Sequence, residues 1–311
     1  MSNGSTFPPP RRLRGTTVLV VLAAVLVAAG AGYLVLRWLR GDGGEPPRAA
    51  HPAPSGTRHE PDKKDGKGGT GDGSHDSGPG SHKGNPHGSL KGKTVVLDPG
   101  HNPRNRNHAR EIARLVNIGN ERKECDTTGT STNAGYAEAS FTLDVAHRAR
   151  KLLERQGARV VLTQDGDHPY GPCVDERAAT GNKKHADAAV SIHADGSAAG
   201  NRGFHVILPA RVTAGAADTS AIVAPSRQLG ERLAGRFLAV TESAPSNYIG
   251  DGTGLDVRSD LGGLNLSTVP KVFIECGNMR DPKDAAHLTD AEWRQKAARG
   301  ITEGITDFLT S

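Results

Sequence analysis

Aromatic side chains make up only 4% of this 311-residue chain, with six Phe, four Tyr and two Trp. A core built from it must be packed mainly from Val, Leu, Ile and Ala, which suffices for a domain of about 200 residues. Cysteine is also scarce: three residues exclude a disulfide scaffold and leave room for one bridge. Cys125 and Cys173 lie in polar, loop-like surroundings, and are either bridged in an oxidising compartment or two unpaired thiols. Cys276 follows Glu275 in an apolar run and reads as a buried thiol, since free cysteine behaves as a small hydrophobe. Net charge is missing where a nucleic-acid surface would need it. From residue 92 onward 27 Lys/Arg face 27 Asp/Glu, so the entire excess, 12 basic against 7 acidic, lies in residues 1–91. No nucleic-acid partner is expected. A basic tail beside an anionic membrane or wall polymer fits this distribution better.

Long uncharged runs are absent but for one. Residues 17–36 are 20 positions without a charge, long enough to cross a hydrocarbon core of about 30 Å as a helix. Arg11, Arg12 and Arg14 precede the run, Arg37 and Arg40 follow it, and Tyr33 and Trp38 sit near its outer end, as interfacial aromatics do. The alternative is a cleaved signal peptide with Ala29-Gly30-Ala31 as the cleavage site, although the apolar run continues through Leu36. The sequence therefore divides into a cytoplasmic tail (1–16), a transmembrane signal anchor (17–38), a Gly/Pro/His/Lys-rich linker (39–92) and a catalytic domain (93–311). The linker has too few large apolar side chains to offset its ordering entropy, and its reach is roughly 40 Å. Its histidines (His51, His59, His75, His82, His87) are irregularly spaced and read as solvated linker rather than a metal-scavenging tract.

From residue 93 strands and helices alternate. Residues 93–101 and 188–193 each read as a strand ending in histidine. Residues 137–156 form an amphipathic helix, 159–163 a strand, 174–184 a helix, 203–208 a strand, 227–240 a helix and 292–309 a closing helix. Such alternation implies a single α/β domain with a mostly parallel twisted sheet flanked by helices.

Three of the apolar runs deliver a polar side chain at their ends: His101, His193 and Glu275. Ligands in open α/β sheets collect at that edge, and two histidines with a carboxylate are a common ligand set of catalytic zinc. Glu138 opens the 137–156 helix and is either the third ligand or an ordinary charge at a helix N-terminus. Asp98 and Asp195, beside the two histidines, are either partners that fix the imidazole tautomer or turn carboxylates.

Val95-Val96-Leu97-Asp98-Pro99-Gly100-His101, then Glu138, Ser191-Ile192-His193-Ala194-Asp195, and Phe273-Ile274-Glu275-Cys276-Gly277-Asn278-Met279 resemble the zinc-dependent N-acetylmuramoyl-L-alanine amidases of the third amidase type. The resemblance spans 93–310. It implies a zinc held by His101, Glu138 and His193, with Glu275 as the catalytic carboxylate. Asn102-Pro103-Arg104-Asn105-Arg106-Asn107 replaces the family's glycine-rich continuation, and with the long stretch to Gly135 it resembles the actinobacterial branch. The implied reaction is hydrolysis of the amide between the lactyl group of N-acetylmuramic acid and L-alanine in peptidoglycan. The implied setting is a membrane-anchored monomer, its domain facing the wall and open to an activating partner.

Two other classes compete: a non-catalytic wall-binding or regulatory protein on the same scaffold, and a zinc peptidase. The first would show a lost ligand or a lost glutamate, and all four positions are filled. The second would carry a helical His-Glu-x-x-His, which is absent. Residues 102–135 carry five arginines and an apolar patch (Ile112, Leu115, Val116, Ile118), so a small structured flap is expected across part of the groove.

Overall fold

The computed structural model describes residues 90–311. The expected tail, anchor and nearly all of the expected linker lie outside these residues. Among the described residues no helix is long and apolar enough to cross a membrane. Leu90, assigned from sequence to the linker, is fully buried in the main core, so the folded part includes it.

The strands are β1 (Thr94–Pro99), β2 (Leu115–Asn117), β3 (Arg122–Glu124), β4 (Arg159–Leu162), β5 (Ala188–Asp195), β6 (His205–Pro209), β7 (Thr213–Ala214), β8 (Ala217–Asp218), β9 (Leu255–Arg258) and β10 (Lys271–Asn278). Six of them form one sheet in the order β4-β1-β5-β10-β6-β9. The first four are parallel, as expected from the alternating pattern. Strand β6 runs antiparallel to β10 and parallel to β9.

The helices are α1 (Ala109–Ile112), α2 (Glu138–Arg155), α3 (Val174–Lys183), α4 (Val223–Thr241), α5 (Gly262–Asn265), α6 (Pro282–Thr289) and α7 (Ala291–Leu309). Three long ones carry buried stripes at four-residue spacing: Phe141, Val145, Ala149 and Leu153 on α2; Leu229, Leu233 and Phe237 on α4; Trp293, Ala297, Ile301 and Ile305 on α7. Helix α4 begins four residues before the sequence pattern suggested, with Pro225 in its first turn, where a missing N–H costs nothing. Helices α4 and α7 approach closely: a Cβ on Gly304 would lie 2.6 Å from Leu233 Cα.

Alternation along the strands divides the sheet. Val95, Leu97, Val190, Ile192, Val206, Leu208, Val272 and Ile274 pack into the core shared with these three helices. The opposite face carries Asp98, Ser191, His193, His205, Lys271, Phe273 and Glu275. Register places Asp98 beside Ser191, and Glu275 between His193 on β5 and His205 on β6. That face is where a site can form.

Candidate active site

Strand β1 pairs with β5 up to its own last residue, Pro99 against Ile192. After Gly100 the chain turns through His101 in the left-handed region, φ 59°, a conformation that costs a non-glycine residue about 1–3 kcal/mol. The His101 carbonyl oxygen accepts from Gln164 Nε2 at 3.0 Å and Arg177 Nη2 at 3.1 Å, which hold the turn. Gly100 is required by close approach, because a Cβ there would lie 2.3 Å from His193 Cε1.

His101 Nδ1 faces two acceptors, Asp126 Oδ1 at 3.0 Å and the Thr127 carbonyl at 3.1 Å, so its proton belongs on Nδ1. That leaves Nε2 aimed at Glu138 Oε1, 3.4 Å away. His193 Nδ1 reaches the same oxygen at 3.0 Å, its ring stacked on Phe273. Glu138 is the first residue of α2, where the helix dipole favours a carboxylate. Its Oε2 accepts from the Thr130 N–H at 2.9 Å. Gly129 presses on this cluster: a Cβ would lie 2.7 Å from His101 Cδ2 and 2.8 Å from Glu138 Oε2.

Two imidazole nitrogens aimed at one buried carboxylate oxygen call for a cation among them, a proton or a metal. The three ligand atoms lie within 4.8 Å of one another, and two histidines with a carboxylate form a donor set suited to catalytic zinc. The residues present fit the ion. Without it the charges adjust to one another. Burial works against a charged His101, but the Glu138 carboxylate and the Asp126 hydrogen bond outweigh it and push the ring up to about 10. Burial likewise disfavours the Glu138 anion, yet His101 and His193 hold that carboxyl well below its usual range.

Glu275 is pushed the opposite way. It lies on β10 beside His193, part of the residue open to the groove while its Oε2 is sealed off without a hydrogen-bond partner among the described residues. Burial, then the nearby Glu138 and Asp195 charges, push its carboxyl well above the ordinary value. Two neighbouring carboxylates driven apart in this way are the arrangement expected of an ionised ligand and a proton-carrying acid–base.

An open groove of about 630 Å³ runs past His101, Glu138, His193, Glu275 and Arg280. A second chamber of about 540 Å³ also touches both histidines, walled by Leu115, Ile118, Val174, Leu261 and Phe273. Much of that wall comes from 102–135, which is structured as expected. It holds α1 and the β2–β3 hairpin, with Ile112, Val116 and Ile118 buried and Leu115 52% exposed. Cys125 and Cys173 are bridged, and Cys276 is a buried free thiol.

Structure and sequence differ over the carboxylates beside the histidines. Asp98 does not touch an imidazole: it accepts from Arg177, Lys271, Ser191 and Thr163 deep in the sheet. Asp195 accepts from the Tyr248 hydroxyl at 2.7 Å. Asp98 sits one strand repeat below the turn that swings His101 out, so the imidazole faces a later loop, and Asp126 is the partner. Arg177, Lys271 and His205 were also missed. The available signals were a lone lysine opening an apolar strand, a charge among the buried positions of α3, and an aspartate adjoining a bridgeable cysteine.

The family model described as N-acetylmuramoyl-L-alanine amidase matches residues 95–307. The chain is 41% identical over 225 residues to the N-acetylmuramoyl-L-alanine amidase Rv3717 of Mycobacterium tuberculosis, covering 72% of this chain and 89% of that one. The crystal structure of the amidase Ami1 from Mycobacterium smegmatis is similar at 42% identity and a TM-score of 0.65, covering 71% of this chain and 98% of that one. Ami1 from Mycobacterium abscessus, in its apo form, matches at 39% identity and a TM-score of 0.65, covering 71% of this chain and all of that one (100%). Fold and these likenesses agree: the chain belongs to the N-acetylmuramoyl-L-alanine amidase family.

Proposed function

We propose that the chain cleaves the amide between the lactyl group of N-acetylmuramic acid and L-alanine of the stem peptide, with a zinc held by His101, Glu138 and His193. The observation that carries this reading is the convergence of those three donors within 4.8 Å, in a groove that Glu275 also lines. Zinc in such a site supplies a water acidified toward about neutral pH and a Lewis acid for the scissile carbonyl.

The remaining work falls to the chain. Glu275 accepts the proton of the attacking water and returns it to the leaving amine. Its sealed environment raises its affinity for that proton, and a cation beside it would lower that affinity again. Asp126 keeps the His101 proton on Nδ1, so Nε2 faces the centre. Phe273 fixes the plane of His193. The groove past Arg280 and the chamber lined by Leu115 and Ile118 offer room beside the centre for an extended substrate.

We also propose that residues 17–38 anchor the chain and that 39–92 let the catalytic domain reach the wall outside the membrane. Fractionation of cells expressing the full chain tests this: recovery only in the medium would establish cleavage and secretion instead.

The chemical test is incubation of the full chain with peptidoglycan and mass spectrometry of the products. Peptides with a free L-alanine amine are expected. Glu275→Gln keeps its zinc and loses roughly two or more orders of magnitude in rate. Near-normal turnover by that variant would show that another group moves the proton, and wall binding without released peptides would leave the non-catalytic reading.

A further inference from the structure

Beneath the site lies a group of buried charges of which only Asp126 enters the chemistry above. Asp98, Asp126, Arg177 and Lys271 have side chains between 2% and 6% exposed. Buried charges on this scale are costly unless paired, and replacing such a set by apolar residues is often neutral or stabilising. Their placement therefore asks for a reason beyond stability.

Every arm of the Arg177 guanidinium is engaged. Nε donates to the Pro172 carbonyl at 2.8 Å. Nη1 donates to Asp98 Oδ1 at 2.9 Å and to the Pro99 carbonyl at 2.7 Å. Nη2 donates to the His101 carbonyl and to Asp126 Oδ2, both at 3.1 Å. The other Asp126 oxygen faces His101 Nδ1 at 3.0 Å. One side chain thus grips the backbone on both sides of Gly100 and also the carboxylate that orients the imidazole. Lys271 Nζ, 3.0 Å from Asp98 Oδ2, completes a set of two cations and two anions.

We propose that Arg177 is the positioning residue of the metal centre, holding the left-handed turn at His101 and pressing Asp126 against its ring, with Asp98 and Lys271 serving to hold the guanidinium. This rests on the metal-site reading given above. The disulfide belongs to the same device. Cys125 adjoins Asp126, and Cys173 precedes Arg177 by one helical turn, so the bridge ties together the two segments that supply the pair. A lysine could supply the charge at 177, but its three N–H donors could not serve these five acceptors at once.

The test is zinc affinity, by chelator competition on the full chain, with His193→Ala as the blank for zinc held elsewhere, including the histidines of 39–92. Arg177→Lys and Asp126→Asn are each expected to weaken binding about 10- to 100-fold, the range for partners of metal ligands. The double variant should bind no more weakly than the weaker single one, because both act through the same imidazole. A purely structural arginine would lower the melting temperature of the zinc-free protein and leave affinity unchanged, and that result overturns the proposal. So does a double variant whose losses multiply. If Arg177→Lys does not fold, Asp126→Asn decides alone, since it removes the atom through which Arg177 reaches the ring; wild-type affinity there overturns the proposal. A wild-type chain that binds no more zinc than His193→Ala overturns the metal reading itself.

Discussion

The two faces of the central sheet are made from the same residues of sequence, read alternately. On one face Val95, Leu97, Val190, Ile192, Val272 and Ile274 meet α2, α4 and α7 in a continuous apolar core. On the other, one position along, lie Asp98, Ser191, His193, Lys271 and Glu275. The apolar face gains by excluding water from hydrocarbon, at roughly 25 cal/mol per Å². The polar face gains little from burial and must satisfy each charge by a named partner. Stability and chemistry are thus largely separated by a single residue step, which predicts that each face can be broken without the other.

The sharpest break is on the polar face. His193→Ala should release one zinc per chain and abolish hydrolysis with the melt of the zinc-free protein little changed, checked by atomic absorption beside calorimetry. Full zinc occupancy would remove His193 from the ligand set. The mirror experiment is Phe237→Ala on α4, which should cost about 3–5 kcal/mol of stability. Its kcat well below the melting temperature should stay near wild type; a large fall in kcat would show that the faces are coupled.

The disulfide lies on the polar side and tests whether that face carries stability of its own. The bridge closes a separation of 48 residues, and such closure is typically worth about 2–4 kcal/mol. Cys125→Ser should lower the melt accordingly. Reductant should do the same to the wild type and nothing further to the variant.

The smallest expected effect is in pH. His205 is 2% exposed, with Nδ1 unpartnered among the described residues. Burial holds its pKa below the ordinary 6.5, with Asp195 and Asp256 opposing this only in part. The unfolded chain therefore binds a proton that the native state refuses. The stability tied to this group is present above about 6.5 and is lost as pH falls below it. Melts at about pH 8 and about pH 5.5 should show a steeper decline in wild type than in His205→Gln. Equal slopes would mean His205 is protonated in place.

How much of this could be read from the chain alone follows from the same division. The apolar stripes of α2 and α7 repeat every four residues, and β1, β5 and β10 carry dense apolar runs, so helices and central strands were legible. His101, His193 and Glu275 stood out because each interrupts or ends such a run. The direction of β6 was not legible, since nothing local distinguishes an antiparallel neighbour from a parallel one. Nor was the hairpin: Arg122-Lys123-Glu124 has no apolar residue, and its strand exists through pairing with Leu115–Asn117. The Asp126–Arg177 pair joins positions 51 apart, and no periodicity in either segment announces the other.

Glu275 shares its rung with His193 on one side and His205 on the other. Side chains alternate along β10 from Lys271 to Glu275, before the register with β5 shifts, so inserting or deleting one residue in that stretch would carry the glutamate to the opposite surface and thrust Ile274 or Cys276 into the groove. For evolution or engineering, the reactive group cannot creep along its strand in single steps. Only shifts by two, or changes in the connecting segments beyond the strand ends, leave it on the side where it can act. Variation in this architecture is thereby channelled into the loops that border the groove, while the spacing between the motif glutamate and the start of its strand is frozen.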